Sequence, residues 1–432
     1  MRELLWPLLV TFVARIAMVP FAHLDNPHLW EYGDIARQML HGYGYAFHWS
    51  YRTISIIIPS AWMPPGQVFI QYLGLKLLGD NLSGYIFIFL EDVVIGSLVV
   101  IAMREILQEI FSDRRLIRFG TWLAALYPSF IFAASTFGIG SAVLTIDAFF
   151  LWALLATFRA VYDQRKAIGP AIGLGVSAGL LTQFRSESYL LIALTFILLA
   201  WQLWKKPDAV RAVAIAVAAC AIVAAPWIVR NAVVFHRFLP TSTSGGFNFW
   251  RGHSPEATGS SWDADGGVVW TPGEMWDSIE PLAVPDTNIE FTMGRYHLQD
   301  AKAWIAAHPL LELERTLKKF VLLWGVDWYN PEAQSPIYIL LYTLTLLCFV
   351  LGIIRARRTK IAARPVVRFA LQAIALWCVF YTAIVLLFFS LPRLQILMIG
   401  FYFPLVVYGA DEIVRKFWRN RKRSNSVISN HS

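Results

Sequence analysis

Two carboxylates one helical turn apart, Glu31 and Asp34, stand in a polar loop just after the first apolar run, within Trp30-Glu31-Tyr32-Gly33-Asp34-Ile35-Ala36-Arg37. Ala61-Trp62-Met63-Pro64-Pro65-Gly66 follows in the same loop. Residues three apart on a helix project to one side, so both acids could serve one site. A carboxylate held at a membrane surface beneath aromatic rings, here Trp30, Tyr32, Tyr43 and Tyr45, could act as a general base. The spacing fits equally a pair of solvated acids on the outer face of an interfacial helix.

Six arginines fall on the same side of the chain as these acids: Arg52, Arg185, Arg230, Arg237, Arg251 and Arg393. Arg185 and Arg393 sit in very short outer turns, 183–188 and 391–393, pinned at the lipid boundary. Guanidinium forks bind phosphate bidentately, and a lipid phosphate would lie at this depth. Snorkelling to headgroups is the alternative use of such side chains. The sequence has no Walker loop, no Cys/His cluster and no Gly-x-Gly-x-x-Gly after a strand, so no nucleotide cofactor is expected, and the metal requirement is left open.

The elements that must hold these residues are membrane helices. The chain is 57% hydrophobic and 15% charged, with a mean hydropathy of +0.53, whereas soluble domains carry roughly 25% charged residues. Apolar runs near the ~20 residues needed to cross a bilayer recur along its length. They predict an all-α polytopic membrane protein with about ten transmembrane helices, over 4–22, 82–103, 119–137, 139–162, 168–181, 188–204, 210–228, 336–354, 366–389 and 394–414. Lys and Arg collect in alternate connections, such as Arg114, Arg115 and Arg118 or Arg355, Arg357 and Arg358, which puts both termini in the cytoplasm. The net charge of +8 is then topology rather than a nucleic-acid footprint. The first run, lacking a cleavage site, reads as a retained helix.

The chain divides into an N-terminal transmembrane module, 1–228, a second extracytoplasmic region, 229–335, C-terminal spans, 336–414, and a basic cytoplasmic tail, 415–432. The first extracytoplasmic loop is 23–81. Its residues 29–40 predict a short amphipathic helix ended by Gly42 and Gly44, and 67–78 an interfacial helix, as does 309–324. Residues 245–285 read as loop or short strand. Cys220, Cys348 and Cys378 fall inside spans as packing residues, without a disulfide. Arg15, Glu91, Asp92 and Asp147 lie within spans, and an unpaired charge there costs roughly 2.5–3.5 kcal/mol, so Arg15 is expected to pair with Glu91 or Asp92.

In order and topology, the short motifs resemble those of the GT-C polytopic glycosyltransferases, in the branch of protein O-mannosyltransferases and lipid A aminoarabinose transferases. The matching segments are the Trp30–Arg37 stretch, His41-Gly42-Tyr43-Gly44-Tyr45 and the Pro-Pro-Gly segment ending at Gly66. Leu126-Tyr127-Pro128, Leu181-Thr182-Gln183-Phe184-Arg185 and Pro226-Trp227-Ile228-Val229-Arg230-Asn231 match as well. So does Ser244-Gly245-Gly246-Phe247-Asn248-Phe249-Trp250-Arg251-Gly252, followed by Ala257-Thr258-Gly259. Two departures stand out. His28-Leu29 occupy the place of an Asp-Glu pair common in protein mannosyltransferases, and the usual Gly-Asn-Asn reads Gly252-His253-Ser254.

The resemblance implies an inverting transferase that moves a sugar from a polyprenyl-phosphate donor to a lipid, glycan or protein acceptor on the extracytoplasmic face, in a bacterial inner membrane. Glu31 is then the base, with Asp34 or Asp25 as substitute. Arg185 and Arg393 hold the leaving phosphate, with Arg230 and Arg251 in reserve; Trp62 and Trp250 stack on sugar, and Tyr32 and Asn248 complete the substrate-binding set. The competing class is a flippase for lipid-linked sugars, with Arg15, Glu91, Asp92 and Asp147 lining a path; it would be expected to show two similar halves, and the sequence has none.

Overall fold

The computed structural model describes residues 2–51, 54–271 and 289–429, together with 273, 275 and 277. Arg52 and Trp276 lie outside the described residues.

Each of the ten expected spans falls on helix. Seven described helices are long and apolar enough to cross a membrane, and Arg114–Ala125 with Pro128–Ser135, bent by 42° at Leu126-Tyr127, pass the same test as a pair. The chain is an integral membrane protein. In chain order the helices are α1 (Arg2–Ile16), α2 (Trp30–Leu40), α3 (Pro65–Leu78), α4 (Leu82–Ser97), α5 (Val99–Ile110), α6 (Arg114–Ala125), α7 (Pro128–Phe132), α8 (Gly140–Tyr162), α9 (Ile168–Thr182), α10 (Ser188–Leu203) and α11 (Ala209–Phe235). They continue with α12 (Gly245–Arg251), α13 (Ile289–Ala307), α14 (Pro309–Trp324), α15 (Pro336–Arg358), α16 (Pro365–Leu387) and α17 (Pro392–Ser429).

Two helices are too short to cross alone. α9 has 15 residues and α10 has 16, and at 1.5 Å per residue each covers about 22–24 Å of a hydrocarbon core about 30 Å thick. The turn joining them carries Arg185. α9 is anchored by close approach to α11: a Cβ on Gly175 would lie 2.2 Å from the Ala216 carbonyl oxygen, and one on Gly179 2.9 Å from that of Cys220. Small residues four apart let membrane helices meet backbone to backbone where lipid supplies no hydrophobic drive.

Three expectations meet corrections here. Arg15 does not pair with Glu91 or Asp92. It donates to Thr11 on its own helix and lies against Gly96, where a Cβ would come 2.9 Å from its Nε. α1 thus meets α4 one turn beyond Asp92, whose carboxylate oxygens make no hydrogen bond among the described residues. Within 245–285, residues Gly245–Arg251 form a helix despite two glycines, because Phe247 and Trp250 are both buried and Gly246 packs directly on the Gly294 backbone of α13. Finally, residues read as loop form a hairpin, Ala46–Tyr51 paired antiparallel with Ile54–Pro59, whose Phe47 and Trp49 alternate inward.

Candidate active site

α2 begins on a strained residue. Trp30 has φ +57, in the left-handed region that bulky side chains rarely occupy, and its indole Nε1 donates to the Thr136 carbonyl at 3.0 Å. From this start Tyr32, Ile35 and Ala36 turn into the core, while Glu31 remains half-buried. Glu31 makes no hydrogen bond among the described residues. Asp34 goes elsewhere. Three residues on a helix amount to a 60° offset, and it takes Asp34 to an exposed edge 3.6 Å from Arg37, whose Nε donates to Asp80 at 2.9 Å. The two acids therefore do not share a site, and Asp25 is exposed in the loop ahead of α2.

The second component is the α9–α10 turn. The Pro-Pro-Gly segment docks on it: Gly66 N donates to the Gln183 carbonyl at 2.6 Å, and a Cβ on Gly66 would lie 2.6 Å from the Phe184 ring. Only glycine allows the two backbones this close. On the other side Ser242 N donates to Ser186 Oγ at 2.9 Å. Arg185, so held, is bound by Glu187 through both Nε and Nη2 and sits 5.8 Å over the Tyr381 ring. Burial opposes its charge, yet Glu187, Tyr381 and Asp147 together hold its pKa above the ordinary arginine value.

Arg251, at the end of α12, and Arg393, at the start of α17, complete the cluster. Arg251 Nη2 donates to the Ser261 carbonyl at 2.9 Å, and its guanidinium lies 4.8 Å over Phe389. Burial, with repulsion from Arg393, brings the Arg251 pKa down to about 10, against the pull of Glu31. Arg393 is exposed and has no hydrogen-bond or ion-pair partner among the described residues, although it lies in the fields of Tyr32, Arg185, Glu31 and Glu187. Tyr32 faces the same charges, and burial first of all raises its hydroxyl to about 12.

The structure thus brings together Glu31, Tyr32, Arg185, Arg251 and Arg393, from four separate stretches of chain. Glu187 and Tyr381 belong beside them and escaped the sequence reading, whereas Asp147, also beside Arg185, stood out there only as a charge within a span. Glu187 had a signal, since it shares the short turn with Arg185; Tyr381 lies in an apolar helix where nothing local marks it. Three expected groups are placed otherwise. Arg230 donates to the Ser60 and Tyr45 carbonyls at 2.6 and 2.8 Å, which commits its guanidinium to backbone. Trp62 is 2% exposed, closed in by Trp49 and Phe247, and Trp250 is 0% exposed, with Nε1 donating to Asp300 at 2.8 Å. Neither indole has a face open to a sugar, because both fill the core beneath the site. Asn248 is half-buried on α12, within 3.5 Å of Ser244 Oγ.

Guanidiniums that feel one another, as Arg393 does both Arg185 and Arg251, repel unless anions lie among them. Glu187 answers Arg185, and Arg393 has no carboxylate bonded to it. Such a cluster is built to hold an anion, and Glu31 is the free carboxylate at its margin.

No family model and no curated protein matches the chain. Solved structures do. The oligosaccharyltransferase AglB of Archaeoglobus fulgidus, in complex with an inhibitory peptide and a dolichol-phosphate, superposes with a TM-score of 0.56 over 98% of this chain and 52% of its own, at 13% identity. Its apo form gives 0.54 over the same shares at 12% identity. The fold is the GT-C fold. ArnT of Cupriavidus metallidurans, bound to undecaprenyl phosphate, aligns over 96% of this chain and 77% of its own, at 14% identity and a TM-score of 0.40. The chain spans about half the length of the solved oligosaccharyltransferase it matches.

Proposed function

We propose that the protein is an inverting glycosyltransferase that moves a sugar from a polyprenyl-phosphate donor to a lipid, glycan or protein acceptor at the extracytoplasmic face of a bacterial inner membrane. The observation that carries the reading is the gathering of Glu31 and Arg393, neither with a hydrogen-bond or ion-pair partner among the described residues, beside Arg185 and Arg251. In the reaction Glu31 takes the proton of an acceptor hydroxyl. The acceptor oxygen then forms a bond to the anomeric carbon as the bond from that carbon to the phosphate oxygen breaks. The electron pair leaves with the phosphate, whose growing charge the arginines hold. The AglB structure with a bound dolichol-phosphate is of a protein with this fold that takes a lipid of this class.

The test is transfer by purified protein in lipid nanodiscs supplied with a prenyl-phosphate sugar and a mixture of envelope lipids, glycans and peptides. Covalent transfer that is lost in Glu31→Gln supports the reading. Movement of the donor across vesicle membranes without transfer would make the protein a flippase instead.

A further inference from the structure

Close in the chain to Arg251 lies a second, largely buried polar cluster that takes no part in the scheme above. Its centre is Glu312 on α14, which accepts from His253 Nδ1 at 2.7 Å, from Trp304 Nε1 at 3.2 Å and from Arg315 Nη1. The other ring nitrogen of His253 lies 2.9 Å from the Leu387 carbonyl oxygen. Lys319, 0% exposed, brings Nζ to 3.4 Å from the Leu386 carbonyl and 3.3 Å from His253 Nε2. Leu386 and Leu387 end α16, and the last carbonyls of a helix have no partner within it. His253 and Lys319 supply those partners, at the end of the helix where positive charge is favoured.

The cap has direct connections to the anion cluster. His253 is two residues past Arg251, and Leu387 is six before Arg393. The chain just past His253 bonds the second connection: Ser390 N donates to the Gly259 carbonyl at 2.8 Å, and Ser261 N to that of Ser390 at 3.1 Å. Arg251 in turn donates to Ser261 and lies over Phe389. There is no slack at the crossing, where a Cβ on Gly252 would lie 1.8 Å from the Phe388 carbonyl oxygen. Gly259, at φ +95, leaves room for the Lys319 stem, 3.3 Å from where its Cβ would stand. A buried ionic cluster of this kind is seldom more stabilising than apolar packing of the same volume, so its gain is sought in geometry.

We infer that His253, Glu312 and Lys319 form a positioning hub that caps α16 and sets where Arg251 and Arg393 stand relative to each other. The inference rests on the reading of those arginines as the groups that hold the donor phosphate.

The test is a double-mutant cycle read by binding of farnesyl phosphate to the full-length protein in nanodiscs, with thermal unfolding as a check on folding. His253→Ala is expected to weaken binding about tenfold, the scale of a lost hydrogen bond to a charged group. It should do distinctly less in an Arg393→Ala background, since part of the hub's effect runs through that arginine. Glu312→Gln carries the same expectation should His253→Ala not fold. Full additivity of the two substitutions, or unchanged binding in a folded hub variant, overturns the hub. Failure of the wild-type protein to bind farnesyl phosphate at all would instead overturn the phosphate-holding role of the arginines, and the hub's purpose with it.

Discussion

Two clusters of acid and arginine lie on the same face of this protein, and they are built in opposite ways. In one, Glu290 accepts from Ser60 Oγ at 2.5 Å, Ala61 N at 3.0 Å and Thr243 Oγ1 at 2.6 Å, while Arg230 binds the carbonyls next to it. Every charge there is consumed in tying the first outer loop to the second. In the other, Glu31 and Arg393 have no bonded partner among the described residues, although they lie in the fields of Arg251 and Tyr32, and Arg393 in that of Arg185. A saturated cluster holds a fold together, whereas an unsaturated one keeps its bonding capacity for a ligand. Sequence alone had placed Arg230 and Arg393 in one list of phosphate-binding candidates. Their partners separate them.

The sharpest way to break this contrast is to remove the free acid. Glu31→Gln should lower the rate of sugar transfer by about 10²–10⁴, as for a lost general base, while binding of the donor, measured separately in nanodiscs, persists. An unchanged rate would end the distinction. Arg393→Ala should cost about 10²–10³ in kcat/KM, the effect of losing one preorganised charge, and Arg393→Lys should recover part of it. Glu290→Gln, by contrast, should act on stability. It should cost about 1–3 kcal/mol, the penalty of leaving buried donors poorly matched, read as a lower unfolding midpoint with transfer per folded molecule unchanged.

Gly66→Ala tests the link between loop and turn. The added methyl would meet the Phe184 ring at 2.6 Å, an overpacking that costs about 1–3 kcal/mol and should displace Arg185. Phe184→Leu in the same chain should restore part of the lost activity. The smallest effect concerns pH. Burial lowers the Lys319 pKa from 10.5 to about 7, partly offset by Glu312 and aided by Arg315. With the folded value depressed, the unfolded chain binds the extra proton between these limits. Stability therefore rises as pH increases from about 7 toward 10.5, and its share from this group is lost as pH falls through about 7. Lys319→Met should flatten that slope in pH-dependent unfolding.

Much of the scaffold was legible from residue order. The apolar runs mark the spans because twenty or so greasy residues have few other uses, and even the short α9 and α10 were bracketed to within a residue or two. The helix at Trp30–Leu40 followed from its apolar spacing and from Gly42 and Gly44 behind it, both at positive φ. The hairpin at 46–59 was hidden, since a short two-stranded unit gives little periodic signal beside so many aromatic residues. The helix at Gly245–Arg251 was hidden by its own glycines, which tertiary contact with α13 overrides.

What composition and periodicity determined without help is that this is a polytopic helical membrane protein with acids and arginines gathered in its outer loops. Those are properties of short stretches, and short stretches report them. Which arginine is free, which acid faces it and which tryptophans are sealed away were decided by contacts between segments up to hundreds of residues apart, such as Ser60 with Glu290 or Gly66 with Gln183. A charged side chain is the same in sequence whether its partners are present or missing. Only the packed chain shows which of its bonds are already made.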